Sequence, residues 1–175
     1  MALSSEIVFA TDVLGGNATA PHSQPLQKLD PPPGHPELSY VCYQISDGAG
    51  AARWRIYCEE GYKGFSVESG ATKFTTFPGN QVIKSAQGYN LGEFAIALWT
   101  QGDYNGGVAS YTGAVASLAA PMASGSVTGK WNLYSGANFT GNHFPAGEKG
   151  QTKEYGNFQA DIGFTVLSAQ PIGTD

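Results

Sequence analysis

Few side chains in this sequence could carry out nucleophilic or acid–base chemistry. Cys42 and Cys58 both lie in apolar, strand-like segments, where a buried structural thiol is the expected role. Two of the three histidines fall in a proline-rich stretch. The adjacent Glu59 and Glu60 would point to opposite faces of a strand, which argues against a paired-carboxylate site. The sequence therefore predicts no catalytic residues and no enzymatic activity.

A spaced pattern of aromatic and glycine residues is more informative. An aromatic residue is followed five positions later by a second large apolar residue and seven positions later by a glycine. A second ring can cover the first when the turn folds back over the strand, and glycine permits backbone angles that such a turn needs. The four copies are Phe9, Leu14 and Gly16; Tyr57, Tyr62 and Gly64; Trp99, Tyr104 and Gly106; Tyr134, Phe139 and Gly141.

A hydroxyl residue recurs later in each copy, inside an apolar segment. Such a hydroxyl can satisfy backbone groups that a folded turn leaves without partners. With gaps of 30, 28, 29 and 31 residues, the chain is predicted to hold four copies of one supersecondary unit. The hydroxyl residues, in the order of the four copies, are Ser39, Ser85, Thr128 and Thr165.

The elements that would position these residues are short β-strands. Glycine is abundant, with 24 residues, and charged residues make up only 13% of the chain, which favours tight turns over solvated helices. Strand-like segments recur without helical periodicity, as in a sandwich or barrel. Residues 21–36 contain six prolines and are predicted to form a long surface loop. The predicted fold class is all-β.

The pattern resembles the Greek-key signature of the βγ-crystallin superfamily, as in a non-lens, microbial-type member with two domains. The segments that carry the resemblance best are Trp131–Gly141 and Trp54–Gly64. In that family two motifs form one β-sandwich domain, which implies domains at residues 1–90, including the proline-rich loop, and 91–175. The alternative is one such domain joined to an immunoglobulin-like sandwich.

The resemblance also raises the question of calcium. Many microbial members bind Ca²⁺ through a stretch of Asn/Asp, Asn/Asp, two variable residues, Ser/Thr and Ser. Lys84 stands on the hydroxyl position of the second motif, and the first and third motifs lack an acidic residue. The fourth motif keeps Asp161 and Thr165. We therefore expect either no cofactor or weakly bound calcium at Asp161 and Thr165; the competing roles are a turn residue and a hairpin cap.

Charge and hydropathy limit the partners. The net charge is −5 without a basic cluster, so nucleic acid is not an expected partner. No apolar run approaches the roughly 20 residues of a membrane span. Met1–Ala10 does not resemble a signal peptide, and two cysteines are too few for a disulfide scaffold, so a cytoplasmic rather than a secreted location is expected.

Two classes of function remain open. The first is a non-enzymatic structural or stress-associated protein with absent or weak calcium binding. The second is a binding effector or adhesin, acting as a protease inhibitor, as a toxin-like protein or on a cell surface or carbohydrate. Self-association, or an unknown protein or glycan partner, is compatible with either class. An exposed patch of aromatic residues would favour the adhesin, whereas aromatic residues confined to corners and core would not.

Overall fold

The computed structural model of the chain describes residues 5–46, 52–69, 73–92 and 94–173. The chain divides into two compact units, Met1–Tyr89 and Asn90–Asp175. Within the described ranges, regular structure is almost entirely antiparallel strand, with a single-turn helix and one 3₁₀ turn. None of the helical segments found there is long and apolar enough to span a bilayer. The all-β fold class predicted from the sequence is confirmed.

The N-terminal half contains two three-stranded sheets, with strand orders β1-β2-β5 and β4-β3-β6. The 3₁₀ turn, Pro78–Asn80, precedes the last strand. The strands are β1 (Ile7–Ala10), β2 (Cys42–Ile45), β3 (Ala52–Glu59), β4 (Lys63–Ser69), β5 (Thr75–Thr76) and β6 (Ser85–Asn90).

The C-terminal half contains a four-stranded sheet, β12-β9-β7-β8, and a three-stranded sheet, β11-β10-β13. Its helix, α1 (Phe158–Asp161), lies between the last two strands. The strands are β7 (Ala95–Trp99), β8 (Val108–Tyr111), β9 (Ser124–Thr128), β10 (Trp131–Tyr134), β11 (His143–Ala146), β12 (Thr152–Tyr155) and β13 (Ser168–Pro171).

The two sheets of each unit exchange strands. In the first unit, β5 of the second motif pairs with β2 of the first, while Leu26 of the first motif bridges Ala86 in β6. In the second unit, β12 of the fourth motif pairs with β9, and Val115 of the third motif bridges Ala169 in β13. Both units therefore have the same Greek-key arrangement, and the immunoglobulin-like alternative is wrong.

The proline-rich segment provides the stretch of the first motif that bridges to β6. Leu26 and Ala86 bond each other through both backbone groups, at 2.7 and 2.9 Å, and the Leu29 N–H donates to the Lys84 carbonyl at 2.8 Å. Pro31–Pro33 follow this paired stretch. The segment is therefore not only the surface loop predicted from its composition, because the residues between its prolines supply backbone donors to β6.

Each unit has its own core, built by alternation along the first strand of its second motif. In β10, Trp131 and Leu133 are buried, whereas Asn132 and Tyr134 are partly exposed. In β3, Trp54 and Ile56 occupy the corresponding inward positions. The successive side chains of a strand face opposite ways, so every second residue reaches the space between the sheets. This packing fixes the strand ends at which the folded turns begin.

Candidate functional site

Three of the four repeats form an aromatic corner, in which the ring at a strand end meets a second ring in the following turn. The ring centroids lie 5.9 Å apart for Tyr57 and Tyr62 and 5.4 Å apart for Trp99 and Tyr104. The second ring always sits on a residue in the left-handed region, with φ near 60°. Such a conformation is uncommon for a residue with a side chain, so ring packing has to stabilise it. The third corner pairs Tyr134 with Phe139 at 5.7 Å.

A serine closes each of these corners. The Ser85 Oγ accepts the Tyr62 N–H at 3.1 Å and donates to the Glu59 carbonyl at 2.6 Å. Two backbone groups of the folded turn are thereby satisfied by one buried hydroxyl. We call Ser85, Ser124 and Ser168 the corner serines, because all three make the same pair of bonds.

The corner serines of the third and fourth motifs correct the sequence prediction, which named Thr128 and Thr165. In the third motif, the Ser124 Oγ accepts the Tyr104 N–H at 3.0 Å and donates to the Gln101 carbonyl at 2.6 Å. Thr128 instead lies at the far end of β9, where its hydroxyl bonds the Thr152 hydroxyl.

In the fourth motif, the Ser168 Oγ accepts the Phe139 N–H at 3.0 Å and donates to the Gly136 carbonyl at 2.6 Å. Thr165 lies three residues before β13, outside the corner. The prediction placed both threonines wrongly because it assumed a nearly constant gap, whereas the segments that connect the strands differ in length.

The first motif is shifted by one residue from its predicted register. The residue before each corner serine donates its N–H to the carbonyl of the first aromatic, as Leu167 does to Tyr134. In the first motif, Val41 donates to Ala10. Ala10 and Cys42 therefore hold the places of the first aromatic and the corner serine, which the sequence assigned to Phe9 and Ser39.

The turn of the first motif is consequently not an aromatic corner. Gly15 and Asn17 have positive φ where the prediction placed Leu14 and Gly16. The Asp12 carboxylate accepts the N–H groups of Leu14 and Gly16, at 2.8 and 3.0 Å, and thereby stabilises the turn. The Leu14 side chain is 92% exposed and covers no ring. The assignment of Leu14 as the second apolar residue of the first corner is therefore wrong.

Glutamines two positions after the corner serine add a contact that sequence reasoning missed. The Gln87 Nε2 donates to the Tyr57 hydroxyl, and the Gln170 Nε2 donates to the Tyr134 hydroxyl, each at 2.6 Å. The tripeptide Ser-Ala-Gln occurs at both places, at 85–87 and 168–170. That repeat was the available signal for Ser168.

Burial in the first unit affects the protonation of several side chains. Burial raises the pKa of Tyr62, the second ring of its corner, and also that of Tyr40, which packs on Phe9 at 6.3 Å. Desolvation lowers the pKa of His22, whose ring lies 6.0 Å from that of Phe9. Burial thus favours the neutral form of each of these three side chains.

The stretches before the corner serines do not fit the calcium pattern implied by the resemblance. The position directly before the serine should carry a hydroxyl ligand, and calcium takes six to eight oxygen ligands. With the register set by the hydrogen bonds, no side chain at this position offers an oxygen. Within the described residues, no group of three or more acidic, histidine or cysteine side chains could hold a metal ion. The residues at this position are Lys84, Ala123 and Leu167, before the corner serines, and Val41, before Cys42 in the first motif.

Asp161 has a structural role at the end of the helix. Asp161 ends α1, and its carboxylate accepts the Asn157 N–H at 3.1 Å. The Asn157 side chain in turn accepts the Ala160 N–H at 3.2 Å, which caps the helix. The ligand pattern counted back from Ser168 begins at Gly163, so it does not contain Asp161. The sequence argument for Asp161 and Thr165 thus relied on a register that the hydrogen bonds do not support.

Comparison with solved structures agrees with the geometry. Geodin, a βγ-crystallin from Geodia cydonium, matches with a TM-score of 0.74 and 13% identity over 97% of this chain and 99% of Geodin. The fifth crystallin domain of the non-lens protein Absent in melanoma 1 matches with 25% identity and a TM-score of 0.40, over 47% of this chain and 91% of that domain. Protein S complexed with calcium matches with 11% identity and a TM-score of 0.36, over 97% of this chain and 100% of that one. No protein-family profile and no curated protein matches the sequence. Two Greek-key units with exchanged strands, together with the similarity to Geodin, identify the fold of this chain as that of the βγ-crystallins.

Proposed function

We propose that this chain is a non-enzymatic structural protein whose stability does not depend on calcium. The proposal rests on the pair of hydrogen bonds that each corner serine makes. Its hydroxyl both accepts and donates a hydrogen bond within its own turn, as Ser85 does with Tyr62 and Glu59. The side chains that distinguish this fold are thus engaged in holding it together, which supports a protein that functions through its folded stability.

The reactive side chains support the same proposal. Cys42 is buried in the place of a corner serine, and its sulfur lies 3.7 Å from the Thr76 hydroxyl. Reactive thiols generally sit in partly exposed, electropositive surroundings. His35 is exposed and contacts Glu37 at 3.2 Å. Cys42 therefore lacks the surroundings of a reactive thiol, and the side chains of the His35–Glu37 pair are both exposed to solvent.

The distribution of aromatic residues weighs against a carbohydrate-binding adhesin. Trp54, Trp99 and Trp131 are fully buried. Among the aromatic side chains of the described ranges, Phe65 alone is exposed, at 49%. Stacking on sugars needs aromatic faces that solvent can reach, and these rings are instead packed in the corners and cores. This confinement of the rings to corners and cores supports a structural role over an adhesin.

Calcium provides the test of the proposal. We expect the unfolding temperature in 1 mM CaCl₂ to equal that in EDTA, because the position before each corner serine offers no side-chain oxygen. A site with a Kd of about 10⁻⁴ M would instead add about 1.4 kcal/mol to the free energy of unfolding. Differential scanning calorimetry in the two buffers measures the difference. A calcium-dependent rise that Asp161→Ala removes would contradict the calcium-independent role and restore the site predicted from the sequence.

The binding-effector alternative retains one supporting observation, the exposed apolar tip of the first turn. Val13 is 55% exposed and Leu14 is 92% exposed, and no ring covers them. If this tip mediates self-association, sedimentation velocity should show a mass that rises with concentration and that Leu14→Ser returns to the monomer. Phe65→Ser, which removes the other exposed large apolar side chain, is the matched control. A monomer at all concentrations would exclude self-association through this tip.

A further inference from the structure

A cavity of about 230 Å³ opens in the C-terminal half, where the ends of two strands meet a turn. Lys130 directly precedes β10, and Ile172 directly follows β13. The Ile172 N–H donates to the Lys130 carbonyl at 2.8 Å, so the two walls are fixed to each other. Lys149 lies in a turn that is closed by a hydrogen bond from the Gln151 N–H to the Glu148 carbonyl, at 3.2 Å. The cavity walls are Phe94, Lys130, Lys149, Ile172 and Gly173.

The charges at this cavity are unusual for this half of the chain. Residues 91–175 carry six acidic groups and only three basic ones, all lysines. Lys153 pairs with Glu148 at 3.6 Å. Lys130 and Lys149 have no ion-pair partner within the described residues, and both line the cavity. Two ammonium groups at one opening, without an acidic partner among the described residues, favour an anion, and lysine binds phosphate as a mobile point charge.

The rest of the wall sets the size and character of the ligand. Phe94 and Ile172 are partly buried and offer apolar surface beside the two lysines. The volume lies below the range of about 300–1,000 Å³ that is usual for pockets holding drug-sized ligands. A ligand with a single ring fits this space better than a nucleotide or a peptide would.

We propose that this cavity binds a small organic anion, in which a phosphate or carboxylate group contacts Lys130 and Lys149 and a single apolar ring packs on Phe94 and Ile172. Binding of such a ligand involves no chemical reaction, so the site is independent of the structural role proposed above. Phosphate and carboxylate share the chemistry that two ammonium groups recognise. Phenyl phosphate and benzoate as separate probes distinguish which of the two groups the site prefers.

The test is a titration of the full chain followed by heteronuclear NMR. Phenyl phosphate should shift the amide signals of Lys130, Lys149 and Ile172, and should bind at least about tenfold more tightly than benzyl alcohol or inorganic phosphate. The affinity should fall as ionic strength rises, because both lysines are exposed to solvent. The double variant Lys130→Gln/Lys149→Gln should weaken binding at least about tenfold.

The matched control is Lys63→Gln/Lys73→Gln, which removes the same charge from exposed positions of the N-terminal half. It should leave the dissociation constant within about twofold, and thermal unfolding of both double variants should show that each is folded. Equal binding of the neutral ring, shifts spread over other surfaces, or unchanged binding by the Lys130/Lys149 variant would each overturn the proposal.

Discussion

Gly147→Ala is expected to lower the free energy of unfolding of the C-terminal half by about 2–5 kcal/mol. A Cβ atom at this position would lie 2.0 Å from the carbonyl oxygen of Gly129 and 2.8 Å from Cγ1 of Val127. A backbone carbonyl cannot rotate away as a side chain can, so β11 or the segment before β10 has to move. Such overpacking costs about 1–3 kcal/mol, and left-handed backbone, with φ at +75°, adds about 1–2 kcal/mol for alanine.

Gly150→Ala separates the two contributions to this loss. Gly150 has almost the same φ, +74°, but no atom lies within 4 Å of the place of its Cβ. The control should therefore cost only the conformational part, about 1–2 kcal/mol. Urea unfolding of both variants at one temperature measures the difference. Equal losses would show that the approach of Gly147 to Gly129 is relieved without cost, and that backbone conformation alone makes glycine necessary there.

The corners could be predicted from sequence because they are local. The distance from Tyr134 to Phe139 along the chain is fixed by one turn, and the two rings meet at 5.7 Å. Neither the length of a loop nor the pairing of strands can change that spacing. The glycine two positions after the second ring belongs to the same turn, and Gly141 has φ at +80°. The spacings of five and seven residues therefore located the three aromatic corners correctly.

The corner serines could not be predicted in the same way, because they return from a distant part of the chain. The gap is 25 residues from Trp99 to Ser124 but 34 from Tyr134 to Ser168. The longer segment contains α1, and loops tolerate such insertions at small entropic cost. A search for a hydroxyl near a constant gap of 30 consequently selected Thr128 and Thr165.

The prediction for the first motif was wrong for a different reason. Its turn keeps the backbone conformation of the others, with positive φ at Gly15 and Asn17, but not the aromatic residues that mark the corner in sequence. Asp12 stabilises this turn through hydrogen bonds to backbone N–H groups, which is a local alternative to ring packing. Phe9, one residue before the true position, satisfied the aromatic pattern while belonging to the core. The hydrogen bond from Val41 to Ala10 and the positive φ at Gly15 and Asn17 reveal the shift.

Ser168→Ala should cost about 2–4 kcal/mol, because it leaves two backbone groups of the corner without a partner. The hydroxyl accepts the Phe139 N–H at 3.0 Å and donates to the Gly136 carbonyl at 2.6 Å, and the residue is fully buried. A buried polar group left unsatisfied costs about 1–3 kcal/mol, and the lower part of that range applies to each group here because Gly136 and Phe139 are partly exposed. Phe139 has φ at +59°, so the loss also removes a bond that holds its unfavourable conformation. The free energy of unfolding from urea titration measures the effect.

Thr165→Ala is the control that decides between the two registers of the fourth motif. Its hydroxyl makes no hydrogen bond to any described residue, so the substitution should change the free energy of unfolding by no more than about 0.5 kcal/mol. The register assumed from sequence makes the opposite prediction, a large loss at Thr165 and a small one at Ser168. Comparable losses at both positions would contradict the single-serine corner, and a loss confined to Thr165 would contradict the arrangement of β13 itself. A loss confined to Ser168 would establish that the buried serine hydroxyl, rather than the residue at a fixed sequence interval, closes the corner.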